Sequence, residues 1–431
     1  MPQCRLSGHS RLTHEMSHDR PPGASPEVCV ARQPILDLHN QVFGYEVLYR
    51  AARGDTTCNE AGDQISARVL ITAVLSMGLE TLTGGTLAFL NVSHQVLLED
   101  VVTVLPPDGI VVEILENIPI TDEVVDMCRS LQSRGYALAL DDFTPGCPAE
   151  ALLPFAQYVK VDLLLTAPEA LAPLVSRLRS RGLCVLAEKV ETAAVLEAAR
   201  AAGCSLFQGY FFCRPTTHTV GALPPLRIAY LRLLAALNQP TLTLAKLEGI
   251  IKQDASFSYR VLRSANSAAS SRRQQVHSIH DALLLMGQDR VRKWASIWAM
   301  AGVGEGAVKE LVTLAVLRAR CCELLGETQR HSTNGSDHFL LGLCSLLDVI
   351  LGRPMDVALE DLPLSAETRA ALLGAENPDR HMLDAVVAYE RGAWEVAQQA
   401  AALGGIASRD LSDAYTGALA WAWALTQGDG S

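Results

Sequence analysis

Between residues 28 and 215 the chain switches repeatedly between two hydrophobic periods, and that switching limits the available folds more than any other feature. Short apolar and β-branched runs (VCVA, VFGYEVLYR, LAFLN, GIVVEIL, YALALDDF, YVKVD, LCVLAE) alternate with longer stretches whose apolar residues recur three and four apart. The longer stretches are QISARVLITAVLSMGL, TDEVVDMCRSLQSRG, APEALAPLVSRLRSRG and ETAAVLEAARAAG, and three of them end at or before a glycine, a common helix stop. Strands alternating with helices mean βα units and a mostly parallel sheet. Seven or so units in roughly 190 residues fit a compact (β/α) TIM-like barrel better than an open sheet.

After CRPTTHTVGALPP the strand signal stops, and from Leu226 the pattern is almost wholly helical. The Pro-rich stretch near 222–225 is therefore the expected boundary between a barrel at 27–221 and a helical domain at 222–431. Residues 1–26 are polar and rich in Pro, Gly and Ser, and read as a disordered tail; His9, His14 and His18 within it do not make a metal site. A length of 431 residues with 49% hydrophobic content supports more than one core. The net charge of −11 excludes a protein that grips polymeric nucleic acid through a general basic field. No apolar run approaches the roughly 18 to 20 residues of a membrane span. The N-terminal stretch has no apolar core of a signal peptide, and 11 cysteines, two of them adjacent (Cys321 and Cys322), do not form a disulfide framework. Both features point to a reducing cytoplasm.

In a barrel of this kind the C-terminal ends of the strands converge on one mouth. The residues at those positions are strongly polar: Glu46 and Arg50, Asn91, Glu113 and Glu116, Asp141 and Asp142, Lys160 and Asp162, Glu188, and Gln208. Carboxylates crowded at one mouth repel each other unless counter-charge is present. Oxygen-rich clusters suit hard divalent cations such as Mg²⁺ or Mn²⁺. Two adjacent aspartates can face two separate ions, the arrangement used in two-metal phosphodiester hydrolysis.

Here the pattern resembles the EAL domain, the family of cyclic di-GMP phosphodiesterases. The signature Glu-x-Leu-x-Arg stands as Glu46, Leu48 and Arg50. In order there follow Asn91 in LNVS, Glu113 in EILE, the DDF of Asp141 to Phe143, Lys160 in KVD, Glu188 in AEKVET and Gln208 in QGYFF. Downstream, KQDASFSYRVLRSANSAA and VHSIHDALLLMGQDRVRKWAS look like proteins that join an EAL domain to a C-terminal HDOD domain, an HD-related helical fold lacking the metal ligands.

The resemblance implies roles. Glu46, Asn91, Glu113 and Asp141 would hold one metal, and Asp141 and Asp142 a second, so one or two Mg²⁺ or Mn²⁺ ions are the expected cofactors. Lys160 would touch the attacking water, Glu188 would act as base or from behind the ligands, and Gln208 would orient the site. Leu48 and Arg50 would hold the substrate, and Glu116 would steady the loop after the paired aspartates. The implied reaction is metal-dependent hydrolysis of cyclic di-GMP to linear pGpG in bacterial second-messenger signalling, with the HDOD region as a regulatory module that binds a protein partner. A homodimer through the barrel is one arrangement the resemblance implies.

Two departures bear on this. The family continues DDF with Gly-Thr-Gly, where this chain has Thr144, Pro145 and Gly146; the glycine of the family's AEGVE is Lys189. Neither removes a ligand, but a proline of fixed φ alters the loop's repertoire. They motivate the alternative of a catalytically weak or inactive cyclic di-GMP sensor. A vestigial barrel beneath an HDOD scaffold is disfavoured, because such a site has no reason to keep charges that repel each other.

Other features read as structure. His280-Asp281 lacks the further His and Asp of an HD site, and Asp281 fits the first turn of a helix. Asp337-His338 is discounted in the same way, and GVGEG follows no strand, so it is a loop and not a phosphate cradle. Cys321, Cys322 and Cys344 read as small buried hydrophobes. Trp294 and Trp298, four apart, belong to one core face, whereas Trp421 and Trp423 cannot share a helix face.

Overall fold

The structure is a computed structural model that describes residues 28–51, 78–213, 225–239, 241–253, 255–268, 276, 278–304, 308–329, 335–360 and 362–430. The expected tail and its histidines lie outside the described residues, as do all but the last two residues of QISARVLITAVLSMGL; there a short helix, Leu79–Thr83, starts after Gly78 at φ 77°.

The first half is a closed barrel in sequential order: β1 (Val28–Asp37), β2 (Val42–Ala51), β3 (Leu87–Val92), β4 (Ile110–Ile114), β5 (Ala137–Leu140), β6 (Tyr158–Asp162), β7 (Cys184–Glu188) and β8 (Leu206–Gln208). From β2 to β8 each neighbour is parallel, but β1 runs antiparallel to both β2 and β8. The expectation of a mostly parallel sheet needs that refinement, and the cause is local. A parallel crossover needs about a dozen residues, while β1 and β2 are joined by a tight turn at Leu38–Gln41. Asp37 closes it by accepting from the backbone N–H of His39 and Gln41, both at 2.8 Å, with Asn40 left-handed at φ 56°.

Strand side chains alternate between the barrel's interior and its helical coat. Ile35, Phe89, Val111, Ala139, Leu186 and Leu206 fill the lower interior as one apolar plug. Outward residues such as Val112, Leu138, Val159, Val185 and Phe207 join the larger core with residues of the surrounding helices Asp122–Ser133, Pro168–Arg179 and Ala193–Ala202. Two of those helices start as their sequences dictate, with Thr121 and Thr192 accepting from the N–H three residues on.

Among the described residues of the second half, the regular elements are helices, from Pro225–Leu237 to Ser408–Gly430. Cys321, Cys322 and Cys344 are buried, Trp298 stacks on Phe257, and Trp294 meets Trp298 edge to face. His280 pairs with Glu248, and Asp281 exchanges hydrogen bonds with Ser278 at the start of its helix. Trp421 lies beside the Arg320 guanidinium. The last helix returns to the barrel, against β1 and Leu79–Thr83. At this seam the Tyr45 hydroxyl donates to buried Glu310 at 2.9 Å, with the Arg32 guanidinium over the Tyr45 ring. Among the described residues no helix is long and apolar enough to cross a membrane.

Candidate active site

The site is built by the two-residue period of the strands. Two positions beyond Phe89, Val111, Ala139, Tyr158, Leu186 and Leu206 come Asn91, Glu113, Asp141, Lys160, Glu188 and Gln208. Those two residues of rise carry the side chains from the apolar plug to the layer above it, still inside the barrel. Antiparallel β1 delivers its own polar residue, Gln33, two positions before Ile35, and Gln33 lies opposite Glu46 in the register.

Lys160 is the centre of this layer. Its ammonium, 1% exposed, touches Glu113 and lies 2.9 Å from Glu188 Oε1, 3.0 Å from Asp141 Oδ1 and 3.6 Å from Glu46 Oε2. Desolvation alone would strip its proton, but the surrounding carboxylates outweigh it and hold the pKa well above the usual lysine value. Glu46 is further oriented by Asn91 Nδ2 at 2.7 Å and Gln208 Nε2 at 2.5 Å, and Gln208 also donates to Gln33 at 3.0 Å.

One cation does not balance this set. Burial first, and then the neighbouring carboxylates against the offset of Lys160, raises the Glu113 carboxyl well above its usual range and pushes Glu188 up to about 8. Asp142 is raised too, by burial and by Asp141. Glu113 Oε2, Asn91 Oδ1 and Gln208 Oε1 are buried with no hydrogen-bond partner. Oxygens of Asp141, Asp142 and Glu188 approach within 4.8 Å of one another. Orphaned buried oxygens beside crowded carboxylates are the donor set of a hard divalent cation, whose charge would reverse these upward shifts. The residues present therefore fit such a metal.

Two backbone positions hold the rim. Asp142 has φ 40° and Lys189 φ 54°, in the left-handed region where glycine is at ease. Lys189, which stands where the family has glycine, keeps that backbone and turns its ammonium onto Asp162, so the added cation does sit beside the mouth. The other departure becomes a turn: Cys147 N–H donates to Thr144 O at 3.2 Å around Pro145 and Gly146, the latter at φ 81°. Proline then glycine at the two central positions is the type II pattern. Glu150 clamps it, accepting from Gly146 N–H at 2.8 Å and Arg177 at 3.1 Å.

Of the residues singled out from sequence, Glu46, Asn91, Glu113, Asp141, Lys160, Glu188 and Gln208 meet in this layer, with Asp142 at its edge. Leu48 and Arg50 lie further along β2, where Leu48 lines an adjoining cavity and Arg50 faces Glu395 at 3.9 Å. Glu116 is exposed and makes no hydrogen bond or ion pair among the described residues; Glu150 performs the clamping of the loop. Sequence reasoning passed over Gln33, Glu150 and the pairing of Lys189 with Asp162. The polar residue two positions before Ile35 was the signal available for Gln33.

A family model for the EAL domain matches residues 23–215, and one for the HDOD domain matches residues 223–355. YuxH of Bacillus subtilis (strain 168), an uncharacterized protein, is 33% identical over 403 residues, covering 91% of this chain and 98% of its own. The cyclic di-GMP phosphodiesterase CdgJ of Vibrio cholerae serotype O1 is 31% identical over 373 residues, 86% of each chain. The PaMucR phosphodiesterase in its c-di-GMP complex superposes with a TM-score of 0.37 at 21% identity over 44% of this chain and 92% of that one, a likeness too loose to bear on function.

Proposed function

The chain belongs to the EAL family, with an HDOD domain following the barrel, and from that premise we propose that it hydrolyses cyclic di-GMP to linear pGpG with Mg²⁺ or Mn²⁺. The observation that carries the reading is the buried surplus of carboxylate oxygens around Lys160, including orphaned Glu113 Oε2. Glu46, Asn91, Glu113 and Asp141 would hold one ion, and Asp141 and Asp142 a second. Bound cations supply counter-charge to the phosphodiester and make a water at the site more acidic.

The rest is done by the chain. Lys160 keeps its proton and would present a fixed positive charge to the attacking water. Glu188, held beside Lys160, is poised to accept the proton of the attacking water. Water adds to phosphorus as its proton passes to Glu188, the bond to the 3′ oxygen breaks, and that oxygen takes a proton from solvent, giving a 5′-phosphorylated linear dinucleotide with a free 3′ hydroxyl. Gln208 and Asn91 keep Glu46 in place through the step. Arg50, four residues beyond Glu46 on β2, would hold the substrate.

Incubation of the purified chain with cyclic di-GMP and Mn²⁺ or Mg²⁺, followed by chromatography, should yield pGpG, and chelation should stop it. Recovery of intact ligand after tight binding would instead establish a sensor, and neither binding nor turnover would overturn the reading altogether.

A further inference from the structure

Beside the carboxylate layer opens a cavity of about 500 Å³, within the range of small-molecule sites. Asn91, which holds Glu46, is part of its wall, so the cavity adjoins the candidate metal positions directly. Its barrel side is mixed: Leu48 and Ile118 are apolar, while Ser93 and Asn117 are polar, and His94 Nε2 nearby is buried without a hydrogen-bond partner. The opposite wall does not come from the barrel. It is Gly392 and Trp394, which lie beyond the residues matched by either family model.

This second wall is built and held. Helix Pro378–Glu390 ends in a left-handed glycine, Gly392 at φ 68°, with Gly392 N–H donating to Tyr389 O and Ala393 N–H to Ala388 O, both at 2.9 Å. That paired closure reverses the chain and sets Trp394 at the start of the next helix. The turn is fastened to the barrel by Gln33, whose amide donates to Arg391 O at 2.8 Å, and by the Arg391 guanidinium over the Tyr210 ring at 4.3 Å. Gly392 comes so close to Leu48 that a Cβ there would stand 2.5 Å from Leu48 Cδ1. Trp394 is braced edge to face by Tyr389, at 4.9 Å between centroids, and remains half-buried at the cavity.

We propose that Trp394 is a nucleobase-binding residue: the helical half closes the substrate cavity over the barrel mouth, and the indole stacks on one purine base of the bound cyclic dinucleotide. The inference rests on the function proposed above and adds to it a residue from outside the barrel. An apolar ring opposite the polar side chains of Asn91, Ser93 and Asn117 matches a purine, which has a π-face and a hydrogen-bonding edge. Asn91, on the cavity wall and bonded to Glu46, then marks the path from the base towards the candidate metal positions.

The test uses the full-length chain, as wild type and as Trp394→Leu and Trp394→Phe. Leucine keeps apolar bulk beside Tyr389, and phenylalanine keeps a stacking ring. Cyclic di-GMP affinity is read by calorimetry and, in parallel, KM and kcat are read from pGpG formation. Loss of one base–aromatic stack weakens binding about ten- to a hundredfold, so Trp394→Leu should raise Kd or KM by that factor with kcat unchanged, while Trp394→Phe stays within a few-fold of wild type. Equal affinity of all three chains would overturn the inference and leave the proposed function standing. Equal loss in both variants, or a loss confined to kcat, would overturn it in favour of a packing role. A wild-type chain that neither binds nor cleaves cyclic di-GMP would remove both readings.

Discussion

Among the buried charged clusters of the described residues, two are constructed on opposite terms. In the helical half Arg318 meets Glu390 through both ends of its guanidinium, at 2.8 and 2.9 Å, with Ser345 at 3.3 Å. One cation faces one carboxylate, fork to fork, and Arg318 is held above its already high pKa by Glu390 despite burial. In the barrel mouth Lys160 alone faces Glu46, Glu113, Asp141 and Glu188. A matched buried pair is a structural device, and it anchors the helix end from which the Gly392 turn springs. A buried surplus of one sign is a device awaiting something else, held in place by the closed barrel around it.

The contrast can be broken at either end. Asp141→Asn should lower pGpG formation at least ten-thousandfold, about 5.4 kcal/mol in barrier at about 1.36 kcal/mol per decade, while leaving the melting temperature of the metal-free protein unchanged or raised. A large loss of metal-free stability would show that the surplus charge holds the fold. Glu390→Leu should do the reverse, costing about 3–5 kcal/mol in urea unfolding because it strands a buried arginine. Adding Arg318→Met should restore most of that stability; failure to do so would remove the matched-pair account.

Glu310, at the seam between the halves, tests an intermediate case. Burial, eased by Arg32 and the Tyr45 hydroxyl, pushes its carboxyl from the usual 4.5 to about 7. The folded chain therefore keeps a proton that the unfolded chain has released, so stability falls as pH rises from 4.5 to about 7 and stays low above that. Glu310→Gln keeps an acceptor for Tyr45 and should be the more stable chain at pH 8, by about 3 kcal/mol. Melting curves at both ends of the window should show the advantage vanish near pH 4.5.

Mn²⁺ or Mg²⁺ at a hundred times its Kd should stabilise the wild type by about 2.7 kcal/mol and Asp141→Asn far less, as read by thermal shift; equal shifts would place the ion elsewhere. The smallest effect belongs to Glu395, whose exposed carboxylate lies 3.9 Å from Arg50. An exposed pair of this kind contributes less than about 1 kcal/mol. Glu395→Gln should tighten cyclic di-GMP binding no more than a few-fold, and weaker binding would show that the carboxylate helps hold the ligand.

Much of the barrel was open to reading in the sequence, because its information is local. Two residues of strand rise carry a side chain from plug to rim, so Val111 and Glu113, or Leu186 and Glu188, announce both layers within one run. The antiparallel first strand was less legible, since its cause is the short turn at Asp37 and not the composition of the strand. Pro145-Gly146 is visible in sequence as a turn, but its clamp, Glu150, is one acid among many until the loop is closed.

The sequence by itself determined the strands, their polar ends and the switch to helix after the barrel, each set by periodicity and neighbours along the chain. Only the tertiary structure decided that Arg391 would come to rest on Gln33, 358 positions away, and that Trp394 would wall the cavity beside Asn91. Nothing local encodes such an approach: it follows from how whole helices bury their apolar faces against β1, and the residues that profit from it carry no mark of their own until that burial is complete.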